Sequence, residues 1–85
     1  MEEQKSKINV LIDSLVPVME PAVREIEAQP ATTQGHYAEY GMLLSDFSGG
    51  DAGKALLMAL ALVKAGANKQ GVEWGLKLFT QMQFN

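Results

Sequence analysis

The sequence predicts an all-α fold, a small bundle of four helical segments. Three observations carry that prediction. Apolar residues recur at helical spacing in four separate stretches. Glycine and proline punctuate the intervals between them. No stretch alternates apolar and polar residues as a half-buried strand does. At 85 residues the chain has the length of a single domain, 1–85.

The first segment covers about residues 3–28. Ile8, Ile12, Leu15, Met19, Ala22 and Ile26 are spaced by alternating fours and threes, which draws a stripe along one helix face. Leu11 and Val23 widen the stripe, while Asn9, Asp13, Glu20, Arg24 and Glu27 lie toward the other side. Pro17 and Pro21 each remove a backbone donor and crowd the carbonyl four residues back. At roughly 100° per residue both point away from the stripe. A proline so placed bends a helix around its core. The expectation is one long helix bent at Pro17 and Pro21. The alternative is a break near Val16, with Pro21 in the first turn of a second helix.

Residues 29–35 read as a connector, with Thr32 or Thr33 as N-cap of a second helix over about 34–47. Tyr40, Leu43, Leu44 and Phe47 follow helical spacing there, and Tyr37 adds a turn. Glu39 and Asp46 face water. Ser48-Gly49-Gly50 ends the helix, because glycine supplies the positive φ that helix exits need. Asp51 caps a third helix over about 52–65, rich in the strong helix formers Ala, Leu and Met. Gly66 closes it, and Asn68 caps a fourth over about 69–83. In the fourth, Val72, Leu76 and Phe79 form one apolar edge. Trp74, Leu78 and Met82 form the other, with Gly71 and Gly75 between. Short connectors imply that chain neighbours pack roughly antiparallel.

Composition removes several function classes. The net charge is −3, the lysines are scattered and Arg24 is the only arginine. A nucleic-acid module gathers its basic residues on one face, so none is expected. The acidic, polar opening is not that of a secretory signal. The most apolar stretch, Ala55 to Val63, is too short to span a bilayer, so no membrane partner is expected either. With no cysteine there is no disulfide, and with His36 as the one histidine there is no zinc set. Neither metal nor cofactor is expected. Zero cysteine suits a reducing cytoplasm.

Three motifs invite a chemical reading. Gly49-Gly50-Asp51-Ala52-Gly53-Lys54-Ala55 resembles a phosphate loop, but Ser48 stands where the pattern needs glycine, and Ala55 where it needs a hydroxyl. A glycine stop and a capped helix account for it. His36 and Glu39 share a helix face, yet metal-binding bundles use Glu-x-x-His on two helices. A solvated histidine near a helix start is the simpler reading. Glu20, Glu25 and Glu27 are spread around their helix and read as solvated.

The surplus of apolar surface is the best functional clue. Gly71 and Gly75 sit one turn apart, and each costs a helix about 1 kcal/mol relative to alanine. Close approach of another helix offsets that. Ala52, Ala55 and Ala59 offer a matching strip within the chain, and a second subunit is the alternative. The third helix is apolar nearly all round, which normally means burial on every side. The chain therefore reads as a non-enzymatic interaction or assembly module, a homodimer or a partner of another protein. Gly71, Trp74, Gly75, Leu78 and Met82 are the expected interface. The alternative is a small apolar ligand in a pocket lined by Tyr40, Met58, Trp74 and Phe79.

Overall fold

The computed structural model of the chain describes residues 7–30 and 35–84. The fold is all-α. Its helices are α1 (Lys7–Glu27), α2 (Tyr37–Ser48), α3 (Ala52–Lys64) and α4 (Lys69–Phe84), with no strand among the described residues. α1 packs along α3, α2 packs chiefly on α4, and α3 also touches α2 and α4. The result is a slab of 42 × 31 × 18 Å. Helix axes pack about 8–10 Å apart, so its thin dimension is two helix layers.

α1 runs unbroken through Pro17 and Pro21. Both rings are exposed, so the carbonyls of Asp13 and Pro17 lose their helical donors on a face that water reaches. That is why two prolines are tolerated in one helix, and why the chain does not break near Val16. Ile12, Met19 and Val23 are buried. Ile8 and Leu11, expected in the buried stripe, are exposed instead. Length explains the difference: the 21 residues of α1 span about 31 Å and the 13 of α3 about 20 Å. Among the described residues no helix covers Ile8 in the first turn, while Leu11 shares a turn with buried Ile12 and faces away from it. Residues 3–6 of the expected first segment lie outside the described residues.

α2 begins later than its sequence suggests. Its N-cap is His36, with φ of 70°, directly after Gly35 with φ of 60°. A side chain at Gly35 would strike the Asn68 carboxamide at 2.8 Å. The chain therefore crosses the α3–α4 connector through a glycine. The expected caps Thr32 and Thr33, with Gln34, lie outside the described residues. The buried face is Tyr40, Gly41, Leu44 and Ser48, and Phe47 is exposed. The helix turns Gly41 toward α4 and thereby turns Phe47 away from the core.

α3 is capped as its sequence predicts: the Asp51 carboxylate accepts from the Lys54 N–H at 3.0 Å. Gly66, at φ of 109°, follows its end. The expectation of burial on every side is not met. Ala55, Ala59, Ala61 and Leu62 face inward, while Leu56 is 52% and Leu60 46% exposed. A slab two layers thick cannot enclose a helix, and α1 lies along only one side of α3.

α4 starts on Asn68, whose carboxamide oxygen accepts from the Gly71 N–H at 2.9 Å. Val72 and Phe79 are buried, and so are Gly71 and Gly75. Gly75 makes its close contact inside the chain, with α2 rather than with the alanine strip of α3. A methyl on Gly75 would lie 2.8 Å from the Gly41 nitrogen and 3.0 Å from the Tyr37 carbonyl oxygen.

Candidate functional site

The surface carries an apolar groove of about 610 Å³ shared by α1, α3 and α4. Asn9 and Ile12 come from α1, Leu56, Ala59, Leu60 and Val63 from α3, and Val72 and Leu76 from α4. The exposed polar residues Lys64, Lys69 and Glu73 complete the lining. The local reason lies in α3. Leu56, Leu60 and Val63 recur at i, i+4 and i+7, so they share one helix face. Ala55 and Leu62 lie toward the opposite face and point into the core. Burying alanine where leucine was available leaves the larger side chains outside. Across the groove, the Lys64 ammonium pairs with the Asp13 carboxylate at 2.5 Å, which ties α3 to α1. Both groups are about half exposed, so the pair adds little to stability. The walls are hydrocarbon, and what they do best is exclude water from something equally apolar.

A polar node lies at the other end of α1. Glu27 accepts from the Tyr40 hydroxyl at 2.5 Å and from the Asn68 backbone N–H at 3.0 Å. One carboxylate thus joins the end of α1, the first turn of α2 and the start of α4. Burial pushes the Glu27 carboxyl up. The hydrogen bonds from Tyr40 and Asn68, together with the nearby His36, outweigh it and hold the group below its ordinary value. Burial, and then the carboxylate it serves, raise the Tyr40 phenol well above its ordinary value. Tyr40 is wholly buried and Glu27 exposed, so the pair ties a core side chain to a carboxylate at the surface. His36 is buried too, at 4% exposure, which corrects the reading of a solvated histidine. It follows Gly35 where the chain crosses over Asn68, close enough to act on the charge of Glu27.

The residues expected at an interface are divided by the structure. Gly71 and Gly75 are buried within the chain, and Leu78 packs toward Gly41, its Cδ2 3.1 Å from where a methyl there would stand. Trp74, at 38% exposure, and Met82 remain at the surface. The Lys77 ammonium lies 4.5 Å from the Trp74 ring centroid and covers one of its faces. Trp74 also lines a recess of about 240 Å³ with Tyr37, Lys77, Leu78 and Gln81. The residues expected to hold an apolar ligand are not gathered. Tyr40 and Phe79 are core, Met58 is half-buried, and none of these or Trp74 lines the apolar groove. The groove instead uses the Val72–Leu76 edge of α4. That edge, buried Val72 and half-buried Leu76, was not among the residues expected at an interface. The Leu56–Leu60–Val63 spacing opposite an alanine face is the signal that could have found the groove.

No helix among the described residues is long and apolar enough to cross a membrane. No group of three or more His, Asp or Glu side chains among them could hold a metal ion. No family model, curated protein or solved structure matches the chain.

Proposed function

We propose that this chain is a small non-enzymatic assembly module that associates with itself, in a reducing cytoplasm to which its lack of cysteine is suited. The observation that carries the reading is the half-exposed pair Leu56 and Leu60 beside a groove of about 610 Å³ with apolar walls. Contiguous apolar surface of this kind usually marks an interaction site on a soluble protein. A twofold dimer is the commonest way to cover one, since a single patch meets its own copy. The small size of the domain strengthens the argument, because a chain of this length buries only a modest fraction of its surface alone.

The volume supports a second reading. Pockets for small molecules run from about 300 to 1,000 Å³ with mostly apolar walls. A small apolar ligand would fit the groove. Sedimentation equilibrium over a wide concentration range separates the two. The assembly reading expects a concentration-dependent dimer. A folded monomer at every concentration would defeat it. If that monomer also brightened an apolar fluorescent probe, and lost the effect on Leu60→Asp, the ligand reading would take its place.

A further inference from the structure

We infer that residues 7–16 of α1 open on their own while the rest of the fold stays closed, so that one wall of the apolar groove is movable. The inference concerns the wall and does not depend on what fills the groove. It starts from a difference between the two halves of α1. Between residues 7 and 16 only Ile12 is buried, Leu15 and Val16 are half-buried, and the others are exposed. From Pro17 onward, Met19 and Val23 are buried, and Glu27 accepts hydrogen bonds from the Tyr40 hydroxyl and the Asn68 backbone. The second half is therefore held by α2 and the start of α4 as well as by α3. The first half has its ion pair with α3, Asp13 to Lys64, between groups that are about half exposed. On its other flank the groove itself lies between Ile12 and the α4 residues Val72 and Leu76.

The backbone divides the halves at the same place. A helix holds together cooperatively because each N–H binds the carbonyl four residues back. Pro17 offers no donor to the Asp13 carbonyl, and Pro21 offers none to that of Pro17. A proline also disfavours helical backbone at the residue before it, here Val16 and Glu20. Just ahead, the Ser14 hydroxyl donates to the Val10 carbonyl at 2.9 Å, a bond of the kind that weakens and bends a helix. Unwinding that begins at Lys7 thus has a place to stop. Segments with few buried contacts and solvent-exposed helical bonds open at the lowest free energy. Opening of residues 7–16 takes Asn9 and Ile12 out of the groove lining and parts Asp13 from Lys64.

Native-state amide hydrogen exchange, read residue by residue, tests this on the whole chain. The amides of residues 11–16 should be at least about tenfold less protected than those of residues 22–26 and of the middle of α4. Urea below the unfolding transition should lower protection in α4 and leave residues 11–16 nearly unchanged, because a small opening exposes little new surface. Gly75→Ala strains the α2–α4 contact and should likewise lower protection in α4 but not at residues 11–16. If that variant fails to fold, the urea series on the wild type makes the same comparison. Pro17→Ala restores a helical donor and should raise protection at residues 11–16 about tenfold. Equal protection in both halves of α1 would overturn the inference, and so would protection at residues 11–16 that falls with urea in step with α4. Either result would mean that α1 opens only when the whole chain unfolds. Unchanged exchange at residues 11–16 in Pro17→Ala would overturn the boundary at the prolines.

Discussion

Gly41 of α2 and Gly75 of α4 meet backbone to backbone. A methyl group on Gly75 would stand 2.8 Å from the Gly41 nitrogen, and one on Gly41 would stand 3.1 Å from the Gly75 carbonyl oxygen. This contact decides how the whole α2–α4 layer packs, and it draws Tyr40 and Phe79 fully into the core.

The two glycines are unequal, and substitution should show it. Gly75→Ala gains helix propensity of about 1 kcal/mol, but its methyl collides with main chain on two sides. Overpacking of this kind typically costs about 1–3 kcal/mol. A net loss of stability is expected in urea unfolding. Gly41→Ala should lose less, since its methyl meets one carbonyl oxygen and a leucine side chain at 3.1 Å. The reverse order would show that the layers move apart more easily than the geometry allows.

The carboxylate of Glu27 makes stability depend on pH at both extremes. Its folded pKa is lowered from 4.5, so the folded state holds the charged form better than the unfolded chain does. That contribution is present above the ordinary carboxylate value and is lost as pH falls below it. Tyr40 works in the other direction. Its folded pKa is raised from 10.0, so its contribution is present below that pH and is lost as pH rises past it. Thermal melts should therefore weaken below about pH 4.5 and above about pH 10. Glu27→Gln should flatten the acid side, and Tyr40→Phe should flatten the alkaline side. At neutral pH Tyr40→Phe should cost on the order of 1 kcal/mol, the usual worth of one hydrogen bond. Unchanged acid and alkaline limbs in these variants would place the titration elsewhere.

His36 tests whether a buried turn or a chemical group has been found. The side chain is buried and its φ is 70°. Left-handed backbone costs a non-glycine residue roughly 1–2 kcal/mol, and burial of the ring offsets it. His36→Ala loses the packing and keeps the strain, so a loss of about 1–3 kcal/mol is expected, in the range of core changes. His36→Gly loses the packing but relieves the strain, and should be the more stable of the two. Equal stabilities in chemical denaturation would mean that the turn rearranges.

Helix identity was readable because caps and stops are local. Asp51, Asn68, Gly49 and Gly66 each act within a turn of their own position, and each appears where its residue type implies. The facing of the helices was less readable, because it depends on which helix arrives. The Gly71–Gly75 spacing announces a close approach but cannot name the partner, and the partner of Gly75 is Gly41 rather than an alanine of α3. A lone glycine in α2 gives no pattern to search for. Likewise an all-apolar α3 says that burial is wanted, while only its neighbours decide which face obtains it. The groove at Leu56 and Leu60 follows from that choice and from the short reach of α3 beside α1.

The structure divides the apolar residues of α3 and α4 into those that hold the monomer and those left over, and charge substitution should separate them. Leu60 is 46% exposed and makes no part of the buried core. An aspartate there can reach water, so Leu60→Asp should fold with a melting temperature close to that of the wild-type monomer. In a dimer joined through the groove, the same aspartate would be buried without a partner, which is strongly unfavourable. Leu60→Asp should therefore sediment as a monomer, and Leu56→Asp should behave alike. Leu78→Asp is the opposite case. Its side chain packs toward Gly41 between α2 and α4, so a charge there should unfold or loosen the chain before any question of association arises. Trp74→Ala removes a partly exposed ring covered on one face by Lys77, and should leave the dimer intact. Circular dichroism melts paired with sedimentation equilibrium on the four variants supply both readouts. If Trp74→Ala dissociates the dimer while Leu60→Asp does not, the association face is the Trp74 edge of α4 and the groove is not its site.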